Sequence, residues 1–361
     1  MRAITQKEIL QVRAHKSPEK LHSIQFLRAV AAMLVVIYHA QQSFSERITP
    51  ASFTSESYFF AFGAVGVHIF FVISGFIMVF TSKFEPCFDA KAFFRRRILR
   101  IYPIYWICAA LYLGGHAIMG IPYDLGVREF LGAVLLLPEY SSKIIGPGWT
   151  LAYEVFFYIC FGIFMIAGLN LGLVLLTLTF FIMVALGVIL PFDNLLWNFA
   201  TNSLLLEFLA GSAVGWLLVR DYLPQRGGIT VIIIAVVLFA AGIAIGYDRF
   251  PSALMWGLPS VLLIAGSVMY ESRRVLPKWI EKMGYFGDSS YALYLIHILL
   301  ITVVLQLFIK LTPSVDIPPA ILALILGAVA LIVAEFLHHQ IEKPLLRRLY
   351  TQREKTVAAS C

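Results

Sequence analysis

Ten apolar stretches, each about as long as a bilayer is thick, leave this chain few ways to fold. A membrane-crossing helix needs roughly 17–25 consecutive apolar residues. Such stretches lie near residues 24–42, 61–81, 101–119, 149–168, 172–190, 203–219, 229–246, 251–270, 291–311 and 320–339, the seventh and eighth being the least distinct. Hydrocarbon offers the backbone no hydrogen-bond partner, so each segment must satisfy its own N–H and C=O groups as a helix. With 60% hydrophobic and 14% charged residues and a mean hydropathy of +0.84, the chain is not an ordinary soluble domain. The expected fold is all-α, a polytopic integral-membrane bundle of about ten transmembrane helices.

Residues 1–20 are polar and charged and lack the apolar core and small-residue cleavage site of a signal peptide, so the first span reads as an uncleaved signal anchor. With the N-terminus inside, the cytoplasmic segments hold 22 Lys and Arg and the outer segments 5. The positive-inside rule then places both termini in the cytoplasm. One membrane domain, residues 21–340, is expected between cytoplasmic tails at 1–20 and 341–361. The net charge of +7 follows from this bias plus one dense basic cluster and does not point to nucleic acid. Cys108 and Cys160 fall in spans, Cys87 and Cys361 inside, and no Cys-x-x-Cys or metal-ligand spacing exists. Residues 120–148 form the longest outer connection; its "EFLGAVLLLP" is too short to cross and suits a re-entrant or interfacial helix.

Polar residues inside such spans are expensive and tend to face a protein interior or a wet path. In "RAVAAMLVVIYHA", Arg28 and His39 are 11 residues apart, about 16.5 Å of rise and within roughly 20° of one helix face. They read as two stations on one path, Arg28 inside and His39 outside; the alternative is a snorkelling arginine and a histidine bonded to a carbonyl. Ser74 and Gly75 interrupt an aromatic run in the second span, where small residues allow close helix packing or admit a ligand. "KAFFRRRILRIYPIYW" supplies Arg97 and Arg100 within a cluster that either grips anionic lipid or clamps phosphates. Glu154 is expected at the depth of His39, where it could orient the imidazole, with Glu207 as a rival partner and His68 as a second outer histidine. His297, about six residues inside the inner boundary, is expected to share the depth of Arg28. Glu335, His338 and His339 cluster at the inner surface, but adjacent histidines point to different helix faces, so no metal site is expected.

Together these stretches resemble the acyltransferase-3 family across nearly the whole chain. The carriers are Leu27, Arg28, Ala29 and His39; "FFVISGF" at 70–76; Arg97, Arg100, Pro103 and Tyr105; the Trp and Glu of "WTLAYEVFFY"; and the late histidine of "YLIH". The wording of the first span is most similar to the exopolysaccharide O-acetyltransferase branch. The resemblance implies an acyl-CoA donor, acetyl-CoA first among them, on the cytoplasmic side of a bacterial inner membrane. It implies a glycan or lipid-linked glycan acceptor, with membrane lipids and polysaccharide-synthesis machinery as partners. On that reading Arg28, Ser74, Gly75, Arg97, Arg100 and His297 hold the donor. His39 is then general base or transient acyl carrier, with Glu154 orienting it. Transfer of succinyl or another acyl group to a lipid or small molecule is the alternative enzyme. A polysaccharide exporter is the alternative class, disfavoured by the absence of sequence repeats and by the basic cluster; a polymer-synthesis scaffold is a third class, which predicts rescue of polymer by a catalytically dead variant.

Overall fold

The computed structural model describes residues 20–47, 62–82, 88–121, 123–224, 226–246, 249–311 and 319–349. Cys87, Cys361 and most of both tails therefore lie outside the described residues. Among the described residues every regular element is helical, and ten helical segments are long and apolar enough to cross a membrane. The chain is a multi-pass membrane protein of the expected class.

The first three crossings are α1 (His22–Arg47), α2 (Val65–Ser82) and α3 (Ala90–Ile118). The short helix α4 (Val127–Val134) precedes α5 (Gly148–Phe164) and α6 (Leu169–Ile189). The sixth crossing is broken into α7 (Leu195–Ala200) and α8 (Leu204–Val219), and α9 (Gly228–Ile245) follows. A π-helical turn, Ala253–Gly257, leads into α10 (Leu258–Glu271), and α11 (Lys278–Gly284) is a short connector. The last crossings are α12 (Ser290–Leu311) and α13 (Pro319–Leu337), the latter continuing through a second π-helical turn, His338–Glu342. The end of the bundle where α1 and α3 begin is here the basal end, the other the distal end.

The central crossing is α2 against α8, and it depends on two glycines. A Cβ on Gly75 would lie 1.9 Å from the Phe208 carbonyl oxygen, and one on Gly211 would lie 2.0 Å from that of Val72. No side chain fits there, so the two backbones touch as small residues permit in apolar surroundings. Aromatic rings fill the space beside this contact: Phe208 stacks on Phe71 at 4.6 Å and on Phe157 at 4.5 Å. His68 and Glu207 also join α2 to α8, His68 Nδ1 lying 2.7 Å from Glu207 Oε1 with both residues buried.

The connection before α5 re-enters the bundle. The carbonyls of Ala133, Val134 and Leu135, which end α4 and have no intrahelical partner, accept hydrogen bonds from Tyr105 (2.8 Å), Trp106 (3.0 Å) and Tyr102 (3.1 Å). Those donors sit halfway along α3, so α4 ends midway through the bundle. Side chains of α3 thus satisfy its last carbonyls, that of Ala133 together with the Leu136 N–H at 3.0 Å. Leu136 then turns the chain back in the left-handed region (φ 57°). As a result α5 also begins midway: Thr150 Oγ1 lies 2.7 Å from the Tyr294 hydroxyl of α12.

Candidate active site

The register of the helices fixes the depth of each polar side chain. Arg97 of α3 lies over the rings of Phe93 (5.5 Å) and Tyr158 (5.4 Å), which sets the basal half of α5 beside the start of α3. Farther along α3, the Tyr112 hydroxyl donates to the Leu295 carbonyl at 3.1 Å and accepts from the Leu299 N–H at 3.2 Å. It thereby intrudes into the backbone ladder of α12, a recognised cause of local helix opening. His297 lies between those two residues. The fifteen residues from Arg97 to Tyr112 correspond to about 22 Å of rise.

The basal end holds a cavity of about 280 Å³ whose walls include Arg28, Ser74, Arg97, Arg100, Glu154 and Tyr158. Five residues drawn from the sequence are thus brought together from four different helices. Ser74 Oγ donates to Glu154 Oε1 at 3.1 Å, and the Tyr158 hydroxyl donates to the same oxygen. Arg28 is buried and reaches Gln25 Oε1 at 3.3 Å. Three guanidinium groups face one wall carboxylate, so the cavity is cationic. Glu342 and Asp288 lie close enough to Arg28 to act on it electrostatically. Glu342 also accepts from, or is paired with, His338 at 2.8 Å. Neither Tyr158 nor Glu342 was singled out from the sequence. Tyr158 is one turn from Glu154, a signal open to inspection; Glu342 is brought in by the π-helical turn, which spacing does not announce.

Two expected partners exchange places. Glu154 was expected beside His39 and His297 beside Arg28. The structure puts Glu154 against Ser74 and Tyr158 among the arginines and packs the His297 ring on His39, centroids 5.3 Å apart. Thr150 meets Tyr294, and from there the antiparallel helices carry Glu154 four residues basally and His297 three residues distally, about 10 Å apart in rise. The physical reason is the re-entrant segment, which starts α5 deep in the bundle. Gly75 departs from its expected role as well. One residue on from Ser74, it is turned about 100° away and meets α8 rather than the cavity.

The distal end is small, buried and aromatic. His297 is wholly buried, and its Nδ1–H donates to the Tyr294 carbonyl at 2.7 Å. Tyr38 lies 4.9 Å from His39 and Tyr294 lies 5.8 Å from His297, centroid to centroid. Val67, Phe70, Thr150 and Tyr294 line the distal part of the cavity, Tyr294 lying one turn before His297 on α12. His339 and His338 each lie beside a carboxylate, Glu335 at 3.4 Å and Glu342 at 2.8 Å. Among the described residues no group of three or more His, Cys, Asp or Glu is arranged to hold a metal ion.

A cationic cavity leads toward paired imidazoles inside the helical bundle, and the comparisons with known proteins make this a membrane acyltransferase. Residues 21–338 match the acyltransferase-3 family model, described as an acyltransferase domain, and the chain belongs to that family. It is similar to the exopolysaccharide production protein ExoZ of Rhizobium meliloti (strain 1021), 29% identical over 304 residues covering 80% of this chain and 91% of the relative. It is also similar to the acyltransferase MdmB of Streptomyces mycarofaciens, 29% identical over 154 residues, 39% of this chain and 38% of the relative. Protein 2 in the picA locus of Rhizobium radiobacter is 31% identical over 162 residues, 38% of this chain and 78% of the relative. No solved structure matches the chain.

Proposed function

We propose that this acyltransferase moves an acetyl group from cytoplasmic acetyl-CoA to a hydroxyl of an exopolysaccharide or other surface glycan at a bacterial inner membrane. The observation that carries the donor side is the cationic cavity: three arginines around about 280 Å³ suit phosphate oxygens, which guanidinium binds in bidentate fashion. Its volume lies just below the range of whole small-ligand sites, about 300–1,000 Å³, which suits a slender thioester arm with the phosphorylated nucleotide held at the basal mouth. Positive-inside counting puts that mouth in the cytoplasm, with both termini. The glycan acceptor is supported by the name of the Rhizobium meliloti relative, which links that protein to exopolysaccharide production.

His39 is the group on which the chemistry turns. Two roles are open to an imidazole there: general base for the attacking hydroxyl, commonly contributing about 10² to 10⁴ in rate, and transient acyl carrier. Arg28, Ser74, Arg97 and Arg100 hold the donor. Glu154, ringed by those arginines, positions them instead of orienting His39.

The test is alkaline de-esterification of surface polymer from a deletion strain complemented with either the wild-type chain or His39→Ala. Normal amounts of polymer lacking base-labile acetyl groups in the His39→Ala strain support the transferase. Full acetylation removes His39 from the mechanism, and loss of export marks the exporter class instead.

A further inference from the structure

His297 carries an unspent base. A carbonyl can only accept, so the bond from Nδ1 to the Tyr294 carbonyl places the hydrogen of the neutral ring on Nδ1 and the lone pair on Nε2. That Nε2 is buried and has no hydrogen-bond partner among the described residues. Leaving a buried acceptor unpaired is costly, and an apolar residue would avoid the cost. The ring lies against His39 at 5.3 Å with the planes inclined by 37°, and the Tyr112 hydroxyl interrupts the backbone ladder around it. Ring packing accounts for the contact with His39, but not for a buried nitrogen left without a partner. An acceptor waiting for a proton explains the unpaired nitrogen and its location.

Resting on the transferase reading, we propose that His297 is a catalytic residue, the general base of the acceptor half-reaction, and that His39 carries the acyl group between donor and acceptor. In the first half a ring nitrogen of His39 attacks the thioester carbonyl. The C–N bond forms, the C–S bond breaks, and the His39 ring proton leaves with sulfur, so that CoA departs as the thiol. In the second half the sugar oxygen attacks the same carbonyl; the C–O bond forms, the C–N bond breaks, and the hydroxyl proton goes to His297 Nε2. That proton then returns to the freed nitrogen of His39, restoring two neutral rings. The second nitrogen of an acylated His39 keeps its lone pair, but the electron-withdrawing acyl group makes it a weak base, which is why the neighbouring imidazole is needed.

The experiment uses full-length chain in lipid nanodiscs, radiolabelled acetyl-CoA, and oligosaccharides cut from the producing strain's own surface polymer. Without oligosaccharide, wild type is expected to release a stoichiometric burst of CoA and to retain hydroxylamine-sensitive label; His39→Ala gives neither. His297→Asn keeps an amide donor near the position of Nδ1 and removes the acceptor at Nε2. It is expected to keep burst and label while turnover on oligosaccharide falls by about 10²-fold or more, and His297→Gln serves as a second variant. The proposal is overturned by a wild type that turns over with no burst, a readout independent of any variant's folding. It is also overturned by turnover in a folded His297 variant within about threefold of wild type, far short of a lost base, or by loss of burst and turnover together while acetyl-CoA still binds. A wild type that neither releases CoA nor modifies the oligosaccharides under any acyl-CoA instead sinks the transferase reading itself.

Discussion

At the basal end of the path Glu154 accepts from two hydroxyls and Arg97 lies over two aromatic rings; at the distal end His297 keeps a ring nitrogen with no partner among the described residues. The basal groups surround a cavity with room for a ligand, and the atom left without a hydrogen-bond partner there, Arg97 Nε, is a cationic donor. The distal groups are packed tightly, with one valence left open. A binding site is built by fixing charges whose partner is still to come, whereas a reacting site keeps a single acceptor dry and ready. The same helices supply both, since α1 carries Arg28 and His39 and α12 carries Tyr294 and His297.

The sharpest separation of the two ends comes from His39→Ala. Turnover should fall by about 10² to 10⁴-fold while acetyl-CoA affinity, measured by equilibrium binding in nanodiscs, stays at the wild-type value. A parallel loss of affinity would merge the two stations into one site.

Next in size is the reverse experiment at the basal end. Replacing Arg97 and Arg100 with alanine should weaken acetyl-CoA binding by roughly 10 to 150-fold for each charged hydrogen bond lost, about 1.5–3 kcal/mol. Dephosphorylated donor fragments should feel the change less, because they offer fewer oxygens to a guanidinium. Unchanged binding would return the cluster to gripping anionic lipid. Glu154→Gln belongs with this pair: it should alter donor affinity and leave the pH dependence of turnover as in wild type, since its carboxylate lies with Ser74 and Tyr158. A shifted pH profile would restore Glu154 to the company of His39.

The ten crossings were legible in the sequence because length and hydropathy report what a bilayer demands; Arg28 and Glu154 were legible as costly residues in spans, Ser74 as a small residue in an aromatic run, and Arg97 and Arg100 as a basic cluster ahead of a span. Depth was not. Counting inward from predicted boundaries assumes that every span starts at the surface, but α5 starts halfway down behind the re-entrant turn at Leu136. His297 is likewise level with Tyr112, far along α3. Those offsets arise from side chains capping backbone carbonyls across helices, Tyr102, Tyr105 and Trp106 on α4, and no local pattern encodes them. Gly75 shows the same limit on a smaller scale. Neighbouring small residues look alike in sequence, while 100° of helix turn gives one to the cavity and the other to α8.

That pair gives a smaller effect with opposite signs of cause. Gly75→Ala puts a methyl where the Phe208 carbonyl oxygen already stands, 1.9 Å away, so α2 and α8 must part. Overpacking of this kind costs about 1–3 kcal/mol, read as a lower unfolding temperature for the purified protein with any loss of turnover following from unfolding. Ser74→Ala should lower the unfolding temperature less, because no backbone is displaced, one hydrogen bond is lost, and Tyr158 still donates to the same Glu154 oxygen. Its effect should appear as a modest rise in the Kd for acetyl-CoA, as the carboxylate loses one of two restraints among the arginines. If Ser74→Ala lowered the unfolding temperature as much as Gly75→Ala and left donor binding alone, Ser74 would be packing like its neighbour, and the cavity wall would begin at Glu154.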